Sequence, residues 1–304
     1  MSDTQTRCGV VAVLGAPNAG KSTLVNQLVG QRVAITSAKA QTTRARMMGI
    51  ALHEGDDAET QMILVDTPGI FAPKRRLDRA MVSAAWEGAE AADAVLLLVD
   101  PVKQRRHELE PLLEQVAQRP ERKILVLNKV DVAKKEPLLA LAQELGEKVE
   151  FETVYFVSAL TGDGVPEMKQ ALAGMMPEGP WMYPEDQVSD ASERLLATEI
   201  TREQLYQQLH EELPYDSAVR PEKYIQRKDG SVEIHQQIVV MRDNQRAIVL
   251  GKGGSRIKEI GKAAREELSE LLGQKVHLFL HVKTDERWSE DKEMYEEMGL
   301  DWKS

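Results

Sequence analysis

A chain of 304 residues is long enough for about two domains, each with its own core. Its 42% hydrophobic and 29% charged content is that of an ordinary soluble globular protein, and no apolar run approaches the length of a membrane span. The formal net charge of −10 argues against nonspecific nucleic-acid binding by the surface as a whole, and a single cysteine, Cys8, excludes an internal disulfide. The stretch Met1 to Arg7 is short and polar, so no signal peptide is expected, and the cysteine usage fits a reducing cytoplasm. Cys8 itself reads as a small core residue beside the first strand.

The first periodic element is the apolar run Val10 to Leu14, as a strand buried on both faces of a parallel sheet would show. It leads into Gly15-Ala16-Pro17-Asn18-Ala19-Gly20-Lys21-Ser22, a G-x-x-x-x-G-K-[ST] phosphate loop, and then into a helix start at Thr23. Glycines at 15 and 20 permit the backbone geometry by which successive N–H groups converge on phosphate oxygens. Lys21 adds a charge over the β and γ phosphates, and Ser22 offers a hydroxyl to Mg²⁺.

Further apolar runs at Met62 to Val65, Ala94 to Val99, Ile124 to Leu127 and Val154 to Val157 alternate with helical periodicity near 76 to 90, 107 to 118, 136 to 146 and 165 to 174. This predicts a doubly wound, mostly parallel α/β domain over residues 1–176, with Met47 to Leu52 as an added edge strand. Function in such a domain collects at the carboxyl ends of the strands. Asp66-Thr67-Pro68-Gly69 follows one strand, where a carboxylate orders the Mg²⁺ water shell. Asn128-Lys129-Val130-Asp131 follows another; the Asp131 carboxylate can accept both N1–H and N2–H of guanine, donors that adenine lacks. Ser158-Ala159-Leu160 ends the next strand, where a backbone N–H can reach the guanine O6. Four motifs in order on successive strands predict a GTP/GDP site, against the rival reading of a metabolic P-loop kinase or ATPase.

Residues 177–191 carry three prolines without amphipathic period and read as the domain linker, with Trp181 and Tyr183 packing it onto one domain. The second half reads helix, strand, strand, helix, helix, strand. A helix is expected from Ser192 to Glu212 with Ser192 or Asp190 as N-cap, then a hairpin of Ser217 to Gln226 and Val232 to Arg242 turned at Asp229-Gly230. Gly251-Lys252-Gly253-Gly254 follows, then a helix from Ser255 to Leu272 and a strand from Lys275 to Val282. A G-x-x-G between two helices in this order is the signature of a type II KH domain, expected at 192–284. Its loop glycines meet the nucleic-acid backbone, Lys252, Arg256 and Lys258 add charge, and an apolar groove holds about four single-stranded nucleotides. From Arg220 to Arg265 there are eleven Lys or Arg against five Asp or Glu, a basic face, whereas residues 285–304 hold eight acids against three bases, an acidic tail.

On the phosphate loop, Gln41-Thr42-Thr43-Arg44, Asp66 to Ile70, Asn128 to Asp131, Ser158-Ala159, Glu212-Leu213-Pro214-Tyr215 and Gly251 to Gly254, the chain resembles the Era family, bacterial GTPases with a C-terminal KH domain. The resemblance implies a Mg²⁺-dependent GTPase that binds the 3′ end of small-subunit ribosomal RNA, assists maturation of the small ribosomal subunit and associates loosely with the inner membrane. A monomer is expected. By the same likeness to related GTPases, Thr43, rather than Thr42, binds Mg²⁺ and the γ phosphate when GTP is present and lets go after hydrolysis. Where Ras-like proteins place a water-orienting glutamine, this chain has Ile70, which cannot orient water. In several translation-factor-related GTPases with this hydrophobic substitution, the asparagine matching Asn18 helps hold a K⁺ ion; Asn18 as a plain turn residue is the competing reading. Catalysis is therefore expected to rest on Asn18, Lys21, Thr43 and Gly69. A membrane-signalling GTPase whose basic domain contacts lipid headgroups is the alternative function.

Overall fold

The computed structural model describes the chain except residues 1–4, 38, 40–42, 45, 56, 91, 104–105, 211–212 and 303–304, and the side chains of 106–108. It divides into two compact units that meet at Asp190 and Ala191.

In the first unit, six strands are ordered β2-β3-β1-β4-β5-β6. They are β1 (Gln5–Gly15), β2 (Met47–Glu54), β3 (Ala58–Asp66), β4 (Ala94–Val99), β5 (Arg122–Leu127) and β6 (Thr153–Phe156). Only β2 runs antiparallel among them, paired with β3 from Met47 opposite Asp66 to Glu54 opposite Glu59, which is the expected edge hairpin. The uninterrupted apolar runs have a direct cause, since each strand feeds two cores. Val11, Val13, Leu96, Leu98, Ile124 and Val126 pack with Leu24, Val25 and Leu28 of α1 (Lys21–Val29) and Met168 and Leu172 of α5 (Val165–Met175). The alternating residues Ala12, Leu14, Val95, Leu97, Val99, Leu125 and Leu127 pack on the other face against α2 (Arg76–Glu90), α3 (Arg106–Ala117) and α4 (Lys135–Lys148). Strand order reverses about β1, which is flanked by β3 and β4, so the crevice at the carboxyl end of β1 is where a ligand fits in this topology.

The stretch read as the linker is hydrogen-bonded along the first unit. Pro177 O accepts from Cys8 N at 3.0 Å, Gly179 N donates to Thr6 O at 3.1 Å, and Ile50 N donates to Val188 O at 2.8 Å. The fully buried Gln61 acts as a clip: its Oε1 accepts from Met182 N at 2.9 Å and Tyr183 N at 3.0 Å, while its Nε2 donates to Tyr183 O at 2.9 Å. Trp181 Nε1 donates to Glu59 O at 3.3 Å, so Trp181 packs here as expected. Asp190 accepts from Met48 N, and burial pushes its carboxyl above the usual range, so it is not the N-cap of the next helix.

That cap is Ser192, whose Oγ accepts from Leu195 N at the start of α6 (Glu193–Gln208). The helix stops at Gln208, short of the expected Glu212, which lies outside the described residues together with Gln41 and Thr42. The second unit continues with β7 (Ser217–Gln226), β8 (Val232–Val240), α7 (Asp243–Leu250), α8 (Ser255–Leu271) and β9 (Val276–Thr284). Its sheet is ordered β7-β8-β9, antiparallel then parallel, which is the expected α+β arrangement. Residues expected as an acidic tail are folded into this unit. Trp288 is 3% exposed and donates to Asp216 O, Tyr295 donates to Ser289 O, and Tyr295 and Trp302 stack edge to face with centroids 4.9 Å apart. A short helix, α9 (Lys292–Glu297), supplies Glu293 and Glu297, which with Asp291 surround Arg220 at 2.8, 3.2 and 3.5 Å.

A nucleotide site and a separate glycine loop

Three turns at the carboxyl ends of β1, β3 and β5 build the first site. The phosphate loop uses its glycines where the backbone requires them: Gly20 caps α1 with φ 101°, and a Cβ there would strike the Asn128 amide. Lys21 is 6% exposed, and its ammonium donates to Gly15 O at 3.1 Å and Ala16 O at 3.0 Å. Burial pushes Lys21 down to about 8, partly offset by the attraction of Asp66.

Ser22, Thr43 and Asp66 converge although they are far apart in sequence. Ser22 Oγ donates to Asp66 Oδ2 at 2.6 Å, lies 2.9 Å from Thr43 Oγ1, and Thr43 Oγ1 lies 3.3 Å from the same carboxylate oxygen. Three hard oxygen donors brought together in this way fit Mg²⁺. The turn after β3 is pressed onto the phosphate loop: Thr67 Oγ1 donates to Val13 O at 2.7 Å and Ile70 N donates to Gly15 O at 3.0 Å. A Cβ at Gly69 would lie 2.7 Å from Pro17 N, so only glycine permits that approach. Ile70 is 9% exposed and packs with Ala12, Leu14 and Ala85, so its side chain faces the core rather than a water. Pro68 is buried beside it, and Asn18 and Thr23 line the open cleft with Lys21, Thr43 and Gly69.

At the other end of the cleft, Asn128 is a structural bolt. Its Nδ2 donates to Ala19 O at 2.8 Å and its Oδ1 accepts from Ala159 N at 2.9 Å, joining the phosphate loop, the β5 turn and the β6 turn. Lys129 donates to Asn18 O at 2.8 Å, and Val130 N donates to Val157 O at 3.2 Å. Asp131 is exposed in the turn after β5. Ser158 N already donates to Asp163 O at 2.9 Å and Ala159 N to Asn128, so a contact of either N–H with guanine O6 requires an exchange of partner.

Sequence reasoning missed three residues of this site. Asn26 on α1 holds Val33 N, Ala34 N and Ala34 O with one amide, fixing the start of the segment that carries Thr43. Asp100 at the end of β4 pairs with Lys129 at 2.6 Å, and Lys103 lines the cleft. Each is a single polar residue with no spacing signal; only its position at a strand or helix end in a doubly wound sheet marks it.

In the second unit, Gly251, Gly253 and Gly254 have φ of 70°, 60° and 77°. A Cβ on Gly251 would lie 2.8 Å from Arg256 Cβ, whereas Gly253 and Gly254 face open space. Lys252 and Lys258 are exposed, as is Ile248 at 51% beside the loop. Arg256 is half-buried, and its Nη1 donates to Gln208 O at 3.0 Å, which ties it to the end of α6.

A family model described as 50S ribosome-binding GTPase matches residues 10–129, and a KH-domain model matches residues 212–289. GTPase Era of Erythrobacter litoralis (strain HTCC2594) is 83% identical over 302 residues, 99% of either chain. GTPase Era of Rhizobium meliloti (strain 1021) is 53% identical over 311 residues, covering 99% of this chain and 98% of that one. Among solved structures, Era in complex with MgGDPNP and nucleotides 1506-1542 of 16S ribosomal RNA has a TM-score of 0.90 at 36% identity, covering 97% of this chain and 99% of that chain. Era of Aquifex aeolicus bound to GDP·AlF4⁻ has a TM-score of 0.89 at 36% identity, covering 96% and 99%. Alike to these relatives from end to end, with both units matched, the chain belongs to the Era family of GTPases.

Proposed function

We propose that the first unit binds and hydrolyses GTP at the phosphate loop and that the second unit grips the 3′ region of small-subunit ribosomal RNA through Gly251 to Gly254, so that the protein assists maturation of the small ribosomal subunit. The observation that carries the first half is the convergence of Ser22, Thr43 and Asp66 on one point beside Lys21. The solved relative that holds both MgGDPNP and an RNA of nucleotides 1506-1542 supports the second.

Ser22 and Thr43 would hold Mg²⁺ with Asp66, and the ion supplies charge against the developing negative charge on the phosphates. Lys21, bonded in the free protein to the carbonyls of Gly15 and Ala16, would turn its ammonium to the phosphates, whose charge offsets the burial that holds it down. The Gly69 N–H would meet the γ phosphate, and Asp131 would read guanine. With Ile70 turned into the core, no side chain at that position orients the attacking water. Asn18, exposed in the cleft, would help hold K⁺, which would supply the extra positive charge. The protein acts as a monomer in the cytoplasm. Among the described residues, no helix is long and apolar enough to cross a membrane.

Coupling between the units is tested by GTP turnover with and without an RNA of the nucleotides 1506-1542 sequence, in KCl and in NaCl. Stimulation by this RNA and loss of turnover in NaCl are expected; equal RNA affinity with GDP and with a nonhydrolysable GTP analogue would remove the coupling by reciprocity. Binding to anionic vesicles in place of RNA would favour the lipid-headgroup reading.

A further inference from the structure

Asp100 closes β4 and is 4% exposed. Its Oδ1 accepts from Val102 N at 2.9 Å and Lys103 N at 3.1 Å, while its Oδ2 accepts from Lys129 Nζ at 2.6 Å. The same ammonium donates to Asn18 O at 2.8 Å. Asn18 and Lys129 are the two non-glycine residues with positive φ among the described ones, at 63° and 65°. Such conformations persist where the surroundings over-determine them. Here the two are joined to each other by one hydrogen bond, and the buried carboxylate of Asp100 holds the group that joins them.

We propose that Asp100 is a positioning residue for nucleotide residence: by fixing Lys129, it locks the guanine loop to the phosphate loop and slows the release of GDP and GTP alike. A lysine ammonium has three donors. One goes to Asp100 and one to Asn18, which leaves the third for the cleft that Lys129 lines. A free lysine loses much rotamer freedom when it is ordered, and here that ordering is complete before a nucleotide arrives. Asn128 already bolts the phosphate loop at Ala19, so the Lys129 tie at Asn18 makes the adjoining residue rigid as well.

The same carboxylate also orders the turn at Val102 and Lys103, and Asp100→Asn separates the two roles. Asparagine keeps an oxygen for the two turn N–H groups but removes the anion from Lys129. GDP release, followed by stopped flow with a fluorescent GDP, is expected to be about tenfold faster while the variant still unfolds in one cooperative thermal transition. In combination with Lys129→Met, Asp100→Asn is expected to add nothing to the effect of Lys129→Met alone. Unchanged release, or effects of the two substitutions that multiply, would overturn the inference. If Asp100→Asn does not fold, Asp100→Ser, which keeps an acceptor for the turn, is read in the same way. The inference rests on Asn128 to Asp131 gripping guanine, which Asp131→Asn checks separately by a switch to xanthosine nucleotides. Failure of that switch removes the guanine reading; a successful switch with inert Asp100→Asn removes this inference alone.

Discussion

The two glycine loops of the molecule share a backbone device and use it in opposite ways. Gly20 and Gly254 each take a left-handed conformation to start a helix, α1 and α8. Around the first loop the glycines meet close neighbours: Asn128 sits against Gly20, Pro17 against Gly69, and Lys21 is bonded to two carbonyls. Around the second, Gly253 and Gly254 have nothing within 4 Å of a Cβ, and Lys252 stands in solvent. A closed cradle selects one small ligand by shape and by matched donors. An open loop offers backbone and charge to any stretch of a polymer, and its selectivity must come from neighbouring groups.

The largest test of this contrast is Asn128→Ala, which removes the bonds to Ala19 and Ala159 together. Two buried partners are left unpaired, so GDP affinity is expected to fall about a hundredfold or more in fluorescence titration. RNA affinity in the absence of nucleotide should stay within about twofold. Gly251→Ala is the converse. Its Cβ meets Arg256 at a φ of 70°, so an RNA of the nucleotides 1506-1542 sequence should bind about tenfold more weakly with GDP affinity unchanged. A loss at both sites from either substitution would break the comparison.

The smallest effect sharpens it through pH. Lys21 in the free protein is held down to about 8, and bound phosphates raise it again, so binding takes up a proton above that pH. Below pH 7 the group is charged in both states and affinity is flat. As pH rises through 8 the free lysine loses its proton, and nucleotide affinity should be about fourfold lower by pH 8.5. Calorimetry in buffers of different ionisation enthalpy checks the proton uptake. A flat affinity from pH 7 to 9 would mean that the carbonyl-bound ammonium is not the titrating group.

Much of this was legible because it repeats or has a period. Apolar runs in β1, β4 and β5 named a doubly covered sheet, since both faces of each strand are buried, and the phosphate loop announced its own turn. What escaped were lone polar residues that acquire meaning only when distant segments meet. Asn26 and Asp100 carry no spacing, and Gln61 follows Glu59 and Thr60 at the polar start of β3 without one. The 177–190 stretch lacks period because its bonds go singly to three different strands rather than to a ladder. The acidic tail misled through composition: its charges are outward or spent on Arg220, while Trp288, Met294, Tyr295 and Leu300 bury the segment. The bond from Arg256 to the Gln208 carbonyl was likewise invisible, because sequence shows charge and not the carbonyl beside it.

The Gln61 clip has a practical consequence for anyone dividing the chain. A cut after Met176, where composition changes, would strip the amide of all three strap partners and leave the Gln61 side chain of β3 facing water. It would also uncover Cys8, whose N–H loses Pro177 and whose thiol lies beneath the strap at 3.6 Å from Gln61. A fragment ending at Asp190 keeps these bonds. The shorter one would present an oxidisable thiol and an unpaired strand edge, two routes to association that the full chain keeps covered.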